Sequence, residues 1–314
     1  MLLSRTAEEI YWLARYVERA ENTARILDVA SRLASLPAQY GSESNEWESA
    51  MLATGAAASF ASAYPNASRD NVIHFLAFST ENPSSIFVCM RRARMAARAV
   101  RTAITLDMWN TINDAWLELQ RYPRDGMSQR QLVQFLSFVK EACLQFDGAA
   151  FRTMLRTDAH AFFFLGTYVE RTDATARILD VKYHVLLPEG EEVGGVRDYF
   201  QWSSILRAAS AYSAYQWVFR DSLKPFRVAE LLTIRPELPR SLAHCAQNAT
   251  VFLDQLANDY GRQGPAQRAA RAHHAHLQNT TIEAIFREGL HQFLLRVIQR
   301  NAHLSDTITA QYLH

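Results

Sequence analysis

Two segments of the chain place a glutamate directly before an arginine in nearly the same context. Residues 16–29 read YVERAENTARILDV and residues 168–181 read YVERTDATARILDV, identical at eleven of fourteen positions. Glu18-Arg19 and Glu170-Arg171 are therefore the first residues to ask chemistry of. Neighbours on a helix point about 100° apart, so neither pair can be one simple bridge. On a helical wheel Glu18 shares its stripe with Arg15, Asn22 and Arg25, and Glu170 shares its stripe with Ala174 and Arg177. Two uses fit such a stripe. The charges can be buried ion pairs that fix the angle between two helices, because a buried charge needs a partner and an arginine fork matches a carboxylate. Alternatively Glu18, Arg19, Asn22, Arg25, Glu170, Arg171 and Arg177 can line a polar cavity for a carboxylate- or phosphate-bearing ligand, with a glutamate as general base.

A second cluster is purely basic. Arg91, Arg94, Arg98 and Arg101 are spaced i, i+3, i+7, i+10, which is one face of a helix. Allowing for the offset of 156 between the halves, the second half has Gln247, Thr250, Asp254 and Ala257 there. The stripe is thus either a solvated face or a site for an anion or an acidic partner, with Arg94 and Arg98 expected to face a cleft beside the first Glu-Arg helix. Other chemistry finds little footing. Glu288 and His291 have the Glu-x-x-His spacing of di-iron bundles, but no second such pair exists. His273, His274 and His276 lie in a polar stretch and read as solvent-exposed. No metal site and no cofactor is expected, and the chain has no glycine-rich phosphate loop.

The elements that must carry these residues are helices. The segments between turn signals are long and rich in Ala, Leu, Arg and Gln, and none alternates with the period of a strand. Around 11–29, Trp12, Leu13, Tyr16, Val17, Ala20, Ala24 and Leu27 fall on one side of the wheel, as in an amphipathic helix capped by Ser4 or Thr6. Loops are expected at 35–46, 64–71, 121–128, 187–197, 235–240 and 260–266, where Pro, Gly and Asn gather. The Glu-Arg repeat is not isolated. Trp47 and Trp202 are 155 residues apart, and SSIFVCM (84–90) matches RSLAHCA (240–246) with Cys89 opposite Cys245. The reading is an all-α, internally duplicated helical bundle of two pseudo-symmetric lobes. Repeat 1 spans about 5–120, repeat 2 about 160–275, and a C-terminal helix about 276–314.

Composition sets outer bounds. The 314 residues carry a formal net charge of +1, so bulk attraction to nucleic acid or an anionic membrane is not the design. Three cysteines (Cys89, Cys143, Cys245) without a CxxC pair read as buried thiols in a reducing compartment. No apolar run approaches the ~18 residues of a membrane span. A cytoplasmic protein is the expectation. Trp12, Trp47, Trp109, Trp202 and Trp217 read as helix-packing residues.

The opening LSRTAEEIYWLARYVERAENTARIL resembles the start of the Alpha-E family, a helical domain named for its Glu-Arg motif. Residues 162–188, NPSSIFVCMRRARMAARAVR (82–101), the Pro-Arg-Ser at 239–241 and GLHQFL (289–294) resemble further landmarks of that family. Thr167 departs from the pattern, standing where an arginine is expected before the second Tyr-x-Glu-Arg. The resemblance implies a peptide or amide-bond modification system, because such proteins are usually encoded with circularly permuted ATP-grasp amidoligases and often with transglutaminase-like peptidases. It implies a helical partner or co-catalytic subunit of the amidoligase. The alternatives are an enzyme with its own polar site at the Glu-Arg helices, acting on an amino-acid or peptide group, and a scaffold without a ligand.

Overall fold

The computed structural model describes residues 2–35, 46–184 and 196–313. Among them are helices and no strand, which meets the all-α expectation. Of the loops expected at 35–46 and 187–197, residues 36–45 and 187–195 lie outside the described residues. The other expected loops coincide with breaks between helices.

The first half holds α1 (Ser4–Leu33), α2 (Glu46–Thr54), α3 (Ala57–Ala63), α4 (Arg69–Ala77), α5 (Ile86–Ala99), α6 (Leu106–Leu119) and α7 (Gln129–Thr153). The second half holds α8 (Asp158–His184), α9 (Val196–Ala208), α10 (Tyr212–Phe219), α11 (Pro225–Thr233) and α12 (Leu242–Tyr260). The chain then continues through α13 (Pro265–Gln278), α14 (Ile282–Glu288) and α15 (Leu290–Tyr312). The tail expected as one helix from about 276 is therefore divided. Gly289 adopts a positive φ of 102°, which ends α14 and restarts the chain as α15. That break also separates Glu288 from His291, so their Glu-x-x-His spacing is not one helical face. His291 bonds Asp180 at 2.7 Å instead.

At the centre α1 packs against α8, with α5, α7, α2 and α9 around α1 and α12 and α15 around α8. This burial corrects the amphipathic reading of α1. Every residue from Ala20 to Ser31 is buried, polar ones included, while Trp12 and Tyr16 of the expected core face are only half-buried. A helix enclosed by partners has no solvent face, so its charges must find protein partners. Its start also differs. Leu3 occupies the cap position without a side-chain bond, and the Leu2 amide is tied to Asp158 across the fold at 2.7 Å.

The flanking helices repeat one device. Ser85 caps α5 by accepting from the Val88 amide at 3.2 Å, and Ser241 caps α12 by accepting from the His244 amide at 3.0 Å. One turn in, the Cys89 thiol approaches the Pro83 carbonyl and the Cys245 thiol the Pro239 carbonyl, at 3.8 and 3.9 Å. All three thiols are free and buried. Burial pushes Cys89 and Cys245 up to about 12, so both remain unreactive thiols at neutral pH.

The approach of α1 to α8 depends on one small residue. A Cβ placed on Gly166 would lie 2.4 Å from the Tyr11 carbonyl oxygen, and a backbone atom cannot step aside as a flexible side chain can. Gly166→Ala should therefore lower stability by about 1–3 kcal/mol, the usual range for overpacking. A urea denaturation midpoint unchanged from the parent would show that the two helices do not need this contact.

Candidate functional site

The Glu-Arg motifs meet at the crossing of α1 and α8, and each glutamate accepts from the arginine of the other segment. Arg19 holds Glu170 with two bonds, Nε to Oε1 at 2.6 Å and Nη2 to Oε2 at 2.9 Å. Reciprocally, Arg171 holds Glu18, with Nη2 to Oε2 at 2.7 Å and Nε at 3.1 Å from both oxygens. Both glutamates are buried. The sequence offered structural pairs or cavity lining, and the geometry gives one network of each kind on the two sides of the crossing.

Around Glu18 the network is filled. Arg240, from the start of α12, donates to Glu18 Oε1 at 2.8 Å and to Glu21 Oε2 at 2.7 Å. Arg25 also binds Glu21 and reaches the Ala208 carbonyl and, at 2.9 Å, the Ser210 hydroxyl. Asp147 of α7 closes the set against Arg171 at 3.0 Å. Three guanidinium groups thus face three carboxyls.

Around Glu170 the network is open. Arg15 supplies a further bond to Glu170 Oε2 at 2.8 Å and continues to the Ser305 hydroxyl at 2.6 Å. Arg177 bonds Asp173 at 2.6 Å and the Ala53 carbonyl at 3.3 Å. Gly55, with φ of 70°, leaves room for that guanidinium, since a Cβ there would lie 2.9 Å from it. These groups line a cavity of about 310 Å³ together with Asn22, Thr23, Ser84 and Asn301. Asn22 is buried, and its carbonyl oxygen has no hydrogen-bond partner. The residues predicted as one polar cluster therefore divide. Arg19, Asn22, Glu170 and Arg177 belong to the cavity, while Glu18, Arg25 and Arg171 belong to the filled network.

Electrostatics limit what the glutamates can do. Burial alone would raise the Glu18 carboxyl, but Arg171 and then Arg240 outweigh it and hold the group at about 2. Burial likewise opposes ionisation of Glu170, and Arg19 with Arg15 overcomes it, so its value too is lowered. Both glutamates are therefore held as carboxylates within arginine bridges. Asp147 behaves oppositely. Burial pushes it up to about 7, Arg171 opposes, and the charges of Glu18 and Glu21 add to the rise.

Other candidates fall elsewhere. The arginine stripe does not line the cavity. Arg94 turns to α6, donating to Asn113 at 2.9 Å, and Arg94 and Arg101 lie over the Trp109 ring, whereas Arg91 and Arg98 are exposed. Helix α6 follows α5 directly and takes Arg94, while Arg98, the other residue expected in the cleft, faces solvent. His273 is buried, not exposed as expected, because α13 packs on α15, and burial lowers it to about 4. Trp217, read as a packing residue, is 75% exposed. Sequence reasoning missed Glu21, Asp147, Asp173, Arg240 and Ser305 as members of the networks. For Arg240 a signal existed in the Pro-Arg-Ser at 239–241. For Asp147 and Ser305 none did, since their partners are distant in sequence. Among the described residues no group of His, Cys, Asp and Glu is arranged to hold a metal ion, and no helix is long and apolar enough to cross a membrane.

With this geometry in hand, comparison with known proteins becomes specific. A family profile described as a predicted alpha-helical domain with a conserved ER motif matches residues 2–313. The chain belongs to the Alpha-E family. Its ER motif corresponds in this Alpha-E protein to the reciprocal bridges between α1 and α8. Among curated relatives, an uncharacterised protein of Mycobacterium bovis and two of Mycobacterium tuberculosis are each 22% identical over 98% of the chain. The chain spans about 37% of the length of each of these relatives. No solved structure matches.

The lowered carboxyls make a signed prediction. A carboxylate whose folded value lies below its unfolded value contributes stability above about pH 4.5, and that contribution is lost as pH falls from there toward 2. For Glu18 the loss is on the order of 3 kcal/mol. Urea midpoints at pH 6 and pH 3 should differ less in Glu18→Gln than in the parent, and the variant should already be weaker at pH 6, by about 3–5 kcal/mol, because Arg171 and Arg240 lose their partner. Equal acid sensitivity in both proteins would remove Glu18 as its source.

Proposed function

We propose that this Alpha-E chain is the helical, co-catalytic partner of an ATP-grasp amidoligase, and that the Arg15–Arg19–Arg177 cavity receives the peptide or amino-acid group to be modified. The observation that carries this reading is the contrast between locked acids and unfilled arginines. Glu18 and Glu170 are each engaged by two arginines. In the cavity, Arg15, Arg19 and Arg177 each keep one terminal nitrogen without an acceptor among the described residues. Such a site binds and orients a substrate; the bond-making chemistry then belongs to the partner, which couples ATP cleavage to amide formation.

Two further points favour a partner over a self-contained enzyme. The match covers only about 37% of each mycobacterial relative, so in those proteins this domain is joined to other sequence. Arg91 and Arg98 are exposed on α5 and supply a basic docking face for an acidic surface. A transglutaminase-like peptidase is the second candidate partner, and the reading places the work in the cytoplasm.

The test uses the full chain with a circularly permuted ATP-grasp protein from the same genome. The two should co-purify, and the chain should raise substrate-dependent ADP release while having no ATP turnover alone. Arg91→Ala/Arg98→Ala should weaken the complex and leave thermal stability within about 1 kcal/mol of the parent. Arg177→Ala should leave the complex intact and lower turnover. Absence of both association and stimulation would end the partner reading.

A further inference from the structure

The two networks at the helix crossing are built from matching contacts, and one difference between them opens the cavity. Thr23 donates to the Ser84 carbonyl at 3.3 Å, and Thr175 donates to the Arg240 carbonyl at 2.7 Å. Arg177 reaches the Ala53 carbonyl and binds Asp173, four residues before it; Arg25 reaches the Ala208 carbonyl and binds Glu21, also four residues before it. Glu170 and Glu18 each accept from the other segment's arginine. By these contacts Ser84 occupies the place of Arg240. In the filled network the Arg240 side chain spans Glu18 and Glu21. In the open one, serine is too short to reach the corresponding Glu170 and Asp173, and the volume is left as cavity.

A second exchange fixes the charge. Arg15 lies at the position that Thr167 holds in the other segment, and it gives Glu170 the second arginine that Glu18 receives from Arg240. The cavity therefore has its carboxylates compensated without a plug. Arg15, Arg19 and Arg177 face Glu170 and Asp173, three cationic groups against two anionic ones, which leaves one positive charge unbalanced. A guanidinium or ammonium ligand would add to that excess. A monoanion removes it. The third exchange is Asn22 at the position of Ala174, which puts an amide side chain on the cavity wall.

We infer that the cavity binds the C-terminal carboxylate of a peptide, or an N-acylated amino acid, with the carboxylate between Arg15, Arg19 and Arg177. Acylation removes the charge of the amine, so such a ligand brings the single negative charge that the excess requires. A free amino acid carries no net charge and leaves the excess in place. Phosphate is more highly charged than the excess requires. The inference rests on the reading that this cavity receives a substrate group, and it does not depend on which protein is the partner.

The experiment is a titration of the full chain, followed through the arginine Nε–H resonances and by calorimetry. The probes are N-acetyl-L-alanine, N-acetyl-L-alaninamide, L-alanine, acetate and inorganic phosphate. N-acetyl-L-alanine should bind best, and loss of its carboxylate in the amide should weaken binding by about tenfold or more. Arg177→Ala should weaken binding of N-acetyl-L-alanine by about tenfold or more. Arg15→Thr/Ser84→Arg installs in the cavity the residues that fill the other network, so it should fold with a melting temperature near the parent's and bind none of the probes. If the double variant fails to fold, the Arg177→Ala comparison decides. Equal or tighter binding of the carboxamide, L-alanine or phosphate, or an Arg177→Ala variant that binds N-acetyl-L-alanine like the parent, overturns the ligand assignment while keeping the cavity as a site. Failure of every probe to bind the parent, with the partner's turnover insensitive to Arg177→Ala, overturns the cavity reading itself.

Discussion

Two arginine–glutamate bridges at the centre of a protein are costly to desolvate, and the arrangement around them follows from that cost. Glu18 and Glu170 are buried where α1 and α8 cross, so each must be held by more than one cation. The bonds are reciprocal between the two helices. Rotating either helix by one residue, about 100°, would turn both glutamates from their arginines at the same time. The bridges therefore specify one register and one crossing, even where their net contribution to stability is modest. Gly166 allows the close approach that brings the forks within bonding distance, and without it the charges would be buried and unmatched.

The surrounding helices can be understood as suppliers to this crossing. Arg240, just before the Ser241 cap of α12, reaches back to Glu18 and Glu21. Helix α7 brings Asp147 to the far side of Arg171. Helix α15 packs along α8, donates from Asn301 to the Val169 carbonyl and presents Ser305 to Arg15. The buried thiols beside these contacts are pushed up by burial and serve as small packing groups, not nucleophiles. Rigidity is the result, since an arginine fixed at two nitrogens presents its third in one direction. A ligand site made of such arginines loses little entropy on binding.

The proposed function rests on how the two networks differ more than on what they share. One is closed by its own arginine and is structural. The other keeps a serine at the equivalent place and holds an uncompensated positive charge over a cavity. Glu18, held at about 2 by Arg171 and Arg240, is a fixed carboxylate of the closed network.

Much of this was written in the sequence. Scarce glycine and proline, the absence of alternating segments and the eleven matched positions at an offset of 152 determined an all-helical chain with two like segments, and the Glu-Arg pairs were visible as its polar centre. Their wheel positions also showed that neither pair could be self-contained. What only the tertiary structure decided is which carboxylate meets which arginine. Helical periodicity places a side chain on a face but says nothing of what covers that face, so the polar side of α1 could be read either as buried pairs or as cavity lining, and Arg94 looked like a cleft residue when α6 takes it. Arg240 and Ser84 lie 156 residues apart at like positions, and nothing local marks one as a plug and the other as an opening. That difference appears only when both arrive at the same helix crossing, because the space a side chain fills depends on the length of its reach from a backbone that distant parts of the chain must first position.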